Sequence, residues 1–240
     1  MHKENSKDRE QLLISIGLLS LSFLCGIPWI DIGNTNDALS ALTNRAVSCD
    51  AVDYAEPPET LVLLSAGNET KNNSEPNYHE KRRVDALVYT YLELLQQGTP
   101  PRSIILALDD GIEKEFKIRN LIQRQIAKNS PGTELDNEIF TIVHADHTDS
   151  SLVAVGDILV QTGSYDPIAI ITSEPHVNRV RYNSCLRKLP ATVINADKVI
   201  SINDPDTYAQ MKKLKQLPSY QWAEAIEQVK ILYWMYRPQY

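Results

Sequence analysis

Short apolar runs alternate with helical patterns from residue 60 onward. The apolar runs occupy residues 60–64, 103–108, 139–144 and 168–172, with a weaker fifth run at residues 192–194. The helical patterns between and after them cover residues 80–97, 112–128, 150–161 and 174–189. Apolar strands that alternate with helices predict a three-layer, Rossmann-like α/β fold whose sheet is mainly parallel and covered on both faces.

The helix at residues 80–97 shows this pattern most clearly. Val84, Leu87, Val88 and Tyr91 recur at spacings of three and four residues, which places them on one face of a helix, and Gly98 is a residue that typically ends one. In a parallel α/β sheet, ligands bind beyond the carboxyl ends of the strands. The loops that follow the strands are therefore where a functional site is expected.

A different pattern precedes the alternating region. Residues 12–30 are apolar and uncharged, and as a helix they would span about 28 Å, close to the hydrocarbon thickness of a bilayer. We expect a transmembrane helix or signal anchor at residues 1–30, a polar linker at residues 31–58 and the Rossmann-like domain at residues 59–240. A cleaved signal peptide and a buried soluble helix remain alternatives for residues 12–30. Residues 220–236 predict a further helix docked on the core, with a helix lying on a membrane surface as the alternative.

Basic residues on the N-terminal side of this segment indicate its orientation. Lys3, Lys7 and Arg9 precede it, whereas the first basic residue after it is Arg45. The positive-inside rule then favours a cytoplasmic N-terminus and an extracytoplasmic, periplasmic or cell-surface, α/β domain.

Composition narrows the range of partners. The chain has 42% hydrophobic and 23% charged residues, as an ordinary globular protein does. Its 24 basic and 31 acidic residues give a formal charge of -7, which disfavours nucleic acid as a partner. Cys25, Cys49 and Cys185 lack the spacing of a zinc site, and export of the domain would permit, without requiring, a disulfide between Cys49 and Cys185.

The fourth apolar run leads into a segment with the residue types of an anion site. Thr172 and Ser173 end this run, and His176 and Arg179 follow at helical spacing after Pro175. A helix start offers unpaired backbone N–H groups and a partial positive charge to a phosphate or carboxylate. The alternative is that Ser173 only caps the helix while His176 and Arg179 face solvent.

Four segments, in this order along the chain, resemble the YdcF/SanA/ElyC-type family, a domain family of unknown function. They are Ser65-Ala66-Gly67-Asn68 after the first strand, Arg83-Val84-Asp85-Ala86, His147-Thr148-Asp149-Ser150, and the T-S-x-x-H-x-x-R pattern that begins at Thr172. The resemblance covers roughly residues 60–189. It implies a Rossmann-like fold, frequent membrane anchoring, a link to cell-envelope maintenance and, for some relatives, binding of S-adenosylmethionine.

These observations identify a set of expected site residues. The expected ligand-binding residues are Ser65, Gly67, Asn68, Arg83, Thr172, Ser173 and Arg179. His176 is the best acid/base candidate because the ordinary pKa of histidine is near neutral. Ser173 is a weaker nucleophile candidate, because no G-x-S-x-G motif surrounds it. The loop at residues 68–79 is either a lid over the ligand or an ordinary solvated loop.

A metal site is not expected. His144, Asp146 and His147 end the third strand, where polar loop residues are more common than metal ligands. The leading hypothesis is therefore a membrane-anchored protein that binds a small anionic ligand, either nucleotide-like or a phosphorylated envelope precursor. The rival hypothesis is a non-catalytic structural or interaction protein that kept the fold. Its support is that Asp109-Asp110 and Leu152-Val153 replace residues typical of the family.

Overall fold

The computed structural model describes residues 56–65, 78–109, 112–145, 147–163 and 166–217, together with positions 225 and 229, both of which are helical. The predicted anchor, nearly all of the predicted linker and most of the predicted C-terminal helix lie outside these residues. Within the part of the chain that is described, no helix combines the length and apolar character needed to cross a membrane.

Five strands alternate with helices along the described residues. The strands are β1 (Thr60–Leu64), β2 (Ser103–Leu108), β3 (Phe140–His144), β4 (Ile168–Thr172) and β5 (Ala191–Asn195). The helices are α1 (Tyr78–Gln96), α2 (Ile112–Asn129), α3 (Thr148–Thr162), α4 (Val177–Leu186), α5 (Ala196–Asn203) and α6 (Pro205–Lys215). Short 3-10 turns occupy Asn137–Ile139 and Glu174–His176.

The strands form one parallel sheet in the order β3-β2-β1-β4-β5. β1 lies at its centre, with Leu63 paired to Leu106 on one side and to Ile171 on the other. All five residues of β1 and all five of β4 are buried. Strands buried on both faces need continuous apolar sequence, which explains why these runs do not alternate with polar residues.

Helices cover both faces of the sheet. On one face, Leu152, Val155 and Leu159 of α3 and Val180 of α4 pack against strand residues that include Val62 and Ile170. On the other face, α1 contacts β1, β4, α2 and α5, and α2 contacts β2. The predicted mainly parallel, Rossmann-like α/β fold with helices on both faces is confirmed.

Local sequence explains where the predicted boundaries fail. The helix predicted at residues 174–189 is divided: Pro175 lies in the 3-10 turn, and α4 ends at Leu186. Helix α5 was not predicted, although Asn195 caps it by accepting hydrogen bonds from the backbone N–H groups of Asp197 and Lys198. An Asn before a short amphipathic stretch is a recognisable helix start, which the sequence analysis missed.

By its internal contacts the chain divides into two compact units. One comprises Cys49–Ala209, and the other comprises Met1–Ser48 with Gln210–Tyr240. The five-stranded sheet and helices α1 to α5 belong to the first unit. Cys185, on α4, is disulfide-bonded, and both of the other cysteines lie outside the described residues.

Candidate functional site

The strand order places a crevice between β1 and β4. The chain leaves β1 toward β2 and β3 on one side of the sheet and returns to β4 and β5 on the other. The helices after β1 and β4 therefore lie on opposite faces, which leaves a gap beyond the carboxyl ends of these two strands. Ser65 follows β1 and Ser173 follows β4, so both residues border this gap.

Arg83 of α1 connects the ends of the two strands. Its Nη1 donates to the carbonyl oxygens of Leu64 at 2.8 Å and Ser65 at 2.5 Å. Its Nη2 and Nε donate to the hydroxyl oxygen of Ser173 at 2.7 and 3.2 Å. The residue is only 2% exposed. Arg83 therefore holds the borders of the crevice together, and all three of its nitrogens are engaged within the protein.

The hydroxyl of Ser173 does not cap a helix. Ser173 stands at the N-cap of the 3-10 turn Glu174–His176, but its side chain makes no capping hydrogen bond. Its oxygen instead accepts the two hydrogen bonds from Arg83. The helix-cap alternative for Ser173 is therefore not what the structure contains.

His176 and Arg179 interact directly at the start of α4. Nη2 of Arg179 lies 2.8 Å from Nδ1 of His176. A guanidinium only donates, so Nδ1 accepts and the neutral ring carries its proton on Nε2, an assignment that follows from the hydrogen bond. Both residues are half-buried rather than exposed to bulk solvent.

A second positive charge lies close to Arg83. Burial lowers the pKa of Arg83 to about 10, and the positive charge of Arg179 lowers it in the same direction, against the opposing charge of Glu80. The two guanidinium groups therefore belong to one electrostatic environment at the crevice. Like charges in a poorly solvated site repel each other, and an anion bound near both would offset that repulsion.

Thr172 occupies a different position from Ser173. It is 1% exposed, and its hydroxyl oxygen has no hydrogen-bond partner among the described residues. Neighbouring strand residues point to opposite faces, and Thr172 follows the alternation of Ile168 and Ile170, which face α3 and α4. The structure thus brings Ser65, Arg83 and Ser173 together, whereas Thr172 lies on the other face of the sheet.

A buried ionic network adjoins the crevice at Ser65. Lys114 of α2 has its Nζ 3.1 Å from Oε1 of Glu80, 2.6 Å from Oδ1 of Asp109 and 3.2 Å from Oγ of Ser65. The Ser65 hydroxyl lies 2.9 Å from Oε1 of Glu80 and 2.5 Å from Oδ1 of Asp109. Glu80 is 0% exposed and Lys114 is 2% exposed. Four side chains from four segments therefore meet at the ends of β1 and β2.

The pKa values of the residues in this network are shifted in different directions. Burial raises the pKa of Glu80 despite the charge of Lys114. Burial also opposes the ionisation of Asp109, but hydrogen bonds from Lys114 and Ser65 hold its pKa below the usual value. For Lys114, the bonds to Asp109 and Glu80 outweigh burial and raise its pKa. Lys114 is therefore an ammonium and Asp109 a carboxylate at neutral pH.

Glu80 and Lys114 were not predicted from the sequence. Both stand near the start of a charged amphipathic helix, where acidic and basic residues usually face solvent. Asp109 carried a signal, because it directly follows β2 at the edge where ligands bind. It was interpreted only as a departure from the family pattern.

A second buried ion pair fixes the neighbouring helix. Arg82 of α1 bonds Asp197 of α5, with both side chains 3% exposed. The Arg82 guanidinium also stacks over the ring of Tyr78, 5.1 Å from its centroid. This ion pair holds α5 against α1 through Arg82, the residue before Arg83.

The remaining predicted residues differ in whether the structure describes them. Gly67 and Asn68, and Asp146 of the alternative metal site, lie outside the described residues. His147 is the N-cap residue of α3, and its backbone N–H bonds the hydroxyl of Ser150. The described residues contain no group of three or more His, Cys, Asp or Glu side chains placed to hold a metal ion.

Comparison with family models, with curated proteins and with solved structures finds no match to this chain. The resemblance to the YdcF/SanA/ElyC-type family therefore rests on the four sequence segments alone. What this chain binds has to be argued from its own side chains at the ends of β1, β2 and β4.

Proposed function

We propose that this chain is a membrane-anchored YdcF/SanA-like α/β protein that binds a small anionic ligand beyond the carboxyl ends of β1 and β4. The observation that carries the proposal is that Arg83 bonds the backbone after β1 and the hydroxyl of Ser173 after β4, while Arg179 stands at the start of α4. The charge of Arg179 lowers the pKa of Arg83, and the charges of Glu80 and Asp197 offset part of the repulsion between the two guanidinium groups. A bound phosphate or carboxylate would be attracted to both guanidinium groups.

The two arginines have different parts in this proposal. Arg83 is buried and donates to Leu64, Ser65 and Ser173, so it contributes its charge and the shape of the crevice. Arg179 is half-buried and stands at the start of α4, so its guanidinium is the group proposed to touch the ligand. The half-buried Ser65 hydroxyl, with Gly67 and Asn68 after it, completes the proposed set of contacts.

The proposed ligand is nucleotide-like or a phosphorylated envelope precursor, and S-adenosylmethionine enters only through the family resemblance. His176 suits an acid role beside such a ligand, because Nδ1 accepts from Arg179 and the ring proton is then on Nε2. A phosphorylated precursor agrees with a role in cell-envelope maintenance. The crevice chemistry itself requires only an anion.

An extracytoplasmic location is proposed on two grounds. Lys3, Lys7 and Arg9 before the apolar residues 12–30 favour a cytoplasmic N-terminus. The disulfide at Cys185 supports the same orientation, because disulfides persist mainly in oxidising compartments.

One observation favours the rival hypothesis of a non-catalytic structural or interaction protein. Every nitrogen of Arg83 already bonds the protein, as expected of a residue that only fastens α1 to the sheet. Under this hypothesis Arg83 only stabilises the packing of α1 on the sheet, and no small anion binds at the crevice.

Ligand screening by thermal shift separates the two hypotheses, because a ligand that binds the folded state raises the apparent Tm. The full chain in detergent is screened against inorganic phosphate, nucleotides, sugar phosphates and S-adenosylmethionine, with chloride at equal ionic strength as the control. A saturable rise in Tm with phosphate-bearing compounds supports the proposal. No shift with any of them favours the rival hypothesis. Release of the full chain from membranes by alkaline carbonate would contradict the proposed anchor.

A further inference from the structure

Ser65 lies within hydrogen-bond reach of a carboxylate that is itself held by a cation. Its Oγ lies 2.9 Å from Oε1 of Glu80, and that same oxygen lies 3.1 Å from Nζ of Lys114. A nucleophile, a base and a group that orients the base at such distances are the elements of covalent catalysis. The sequence analysis assigned Ser65 only to ligand binding and assigned nothing to Glu80 or Lys114.

We propose that Ser65 is the nucleophile, and Glu80 its general base, in the hydrolysis of a phosphate ester bound at the crevice. This inference rests on the proposed binding of an anionic ligand and adds a reaction to it. Ser65 is half-buried, whereas Glu80 and Lys114 are buried, so the serine hydroxyl is the member of the group that a ligand can reach.

The carboxylates of Glu80 and Asp109 lie next to Ser65 together with two cations, and the cations are the groups that favour a phosphate ester as the substrate. Nη1 of Arg83 donates to the carbonyl oxygen of Ser65 itself at 2.5 Å, and Nζ of Lys114 lies 3.2 Å from its Oγ. Arg179 adds a third cation close to Arg83. Cations around the attacked group stabilise the charge of a phosphoryl group in the transition state. A phosphate ester therefore fits the site better than a neutral ester.

Asp109 lies closer to Ser65 than Glu80 does, with its Oδ1 2.5 Å from Oγ against 2.9 Å for Oε1 of Glu80, but Glu80 is the better proton acceptor. Lys114 is already protonated, since its bonds to Asp109 and Glu80 raise its pKa. Asp109 is a weaker base, since hydrogen bonds from Lys114 and Ser65 lower its pKa. The pKa of Glu80 is raised by burial, which strengthens its carboxylate as a proton acceptor.

The reaction balances without a redox partner. In the first step Ser65 Oγ attacks phosphorus, its proton passes to Glu80, and the bond between phosphorus and the ester oxygen breaks. The departing oxygen lies in line with Oγ on the far side of phosphorus, so it takes a proton from solvent and leaves as an alcohol, while Glu80 returns its proton to solvent. In the second step water attacks the phosphoserine and gives a proton to Glu80. The bond between phosphorus and Oγ then breaks, Oγ regains that proton, and inorganic phosphate leaves.

The test uses the full chain in detergent with p-nitrophenyl phosphate as the probe. Release of p-nitrophenol and the appearance of phosphoserine at Ser65, found by peptide mass spectrometry after rapid acid quench, are the expected results. Ser65→Ala should abolish both. Glu80→Gln should reduce release on the order of 100-fold to 10,000-fold, the usual contribution of a general base. Ser184→Ala, which removes a buried hydroxyl from α4, is the matched control and should retain activity.

The outcomes distinguish this inference from the binding proposal. If inorganic phosphate binds but the wild type releases no p-nitrophenol and forms no adduct, the hydrolytic role of Ser65 is wrong while anion binding stands. Unchanged release by Ser65→Ala also overturns it. If inorganic phosphate does not bind, the proposed function itself fails. Whether the wild-type protein forms the phosphoserine adduct tests the role of Ser65 even if a variant does not fold.

Discussion

Nη2 of Arg83 donates a hydrogen bond to the hydroxyl oxygen of Ser173 at 2.7 Å, which joins helix α1 to the residue that follows β4. The same guanidinium bonds the carbonyl oxygens at the end of β1. One side chain therefore links the backbone at the end of β1 to the residue that follows β4, beside the proposed ligand site.

Arg83→Met should destabilise the protein strongly. Its loss leaves the carbonyls of Leu64 and Ser65 and the hydroxyl of Ser173 without their donor in a buried place, at about 1 to 3 kcal/mol for each unsatisfied group. We expect the free energy of unfolding to fall by about 3 to 5 kcal/mol, measured by urea denaturation. Arg181→Met, on an exposed position of α4, should stay within about 0.5 kcal/mol. Equal effects of the two substitutions would show that Arg83 does not join the strand ends.

The buried pair of Arg82 and Asp197 should show strong coupling in a double-mutant cycle. Either single change, Arg82→Met or Asp197→Ala, leaves a charge in a site where both side chains are 3% exposed. Each should cost about 3 to 5 kcal/mol, and the double variant should cost less than the sum by more than about 1 kcal/mol.

The exposed pair of Arg102 and Glu59 is the control for this cycle. Nη1 of Arg102 lies 2.9 Å from Oε2 of Glu59, but the Arg102 side chain is 80% exposed. Its coupling should stay below about 1 kcal/mol because solvent screens surface pairs. Similar coupling in both pairs would contradict the buried attachment of α5 to α1.

Glu80 should make stability fall as the pH rises. Its folded-state pKa lies above the ordinary value of 4.5, so the folded protein holds the proton more tightly than the unfolded chain. The resulting stabilisation is complete below about pH 4.5 and is lost as the pH rises through the folded-state pKa. Relative to the wild type, Glu80→Gln should therefore gain stability with rising pH in urea denaturation. A difference that does not depend on pH would rule out a raised pKa.

Asp109 should show the opposite dependence. Its folded-state pKa lies below the ordinary value of 3.8, so its contribution is present above that pH and is lost as the pH falls through the folded-state pKa. The stability advantage of the wild type over Asp109→Asn should therefore shrink in acid, again measured by urea denaturation. An advantage that grows in acid would reverse the assigned roles of Asp109 and Glu80.

The disulfide at Cys185 should resist alkylation and stabilise the chain. Peptide mapping without reduction should find Cys185 joined to Cys49, because Cys25 falls within the proposed membrane anchor. Cys185→Ser should lower the free energy of unfolding by about 2 to 5 kcal/mol, as loss of a native disulfide does. Alkylation of Cys185 in the unreduced native chain would contradict the bond.

The strands were the most predictable part of the fold, and the reason is physical. A strand buried on both faces needs an uninterrupted apolar run, so β1, β2 and β4 matched residues 60–64, 103–108 and 168–172. Helix α5 is short, and its attachment depends on Asp197 meeting Arg82 across a long stretch of sequence. No local pattern shows such a contact.

The site residues that directly follow strands could be predicted from the sequence, and the site residues that lie on helices could not. Ser65 and Ser173 were found because they follow β1 and β4. Lys114 is 2% exposed and lies on a helix rich in charge, where sequence alone predicts a solvated side chain. Its burial depends on Glu80 and Asp109 reaching it from two other segments.

Titration of Arg179→Ala with inorganic phosphate shows whether an anion binds at the ends of β1 and β4. Phosphate affinity should fall by more than tenfold, since a charge-assisted hydrogen bond contributes about 1.5 to 3 kcal/mol. The change in unfolding free energy should be small because Arg179 is half-buried. Arg181→Ala, two residues further along α4 at an exposed position, should bind phosphate as the wild type does. Equal phosphate affinity in the wild type and Arg179→Ala would contradict an anion site at the ends of β1 and β4.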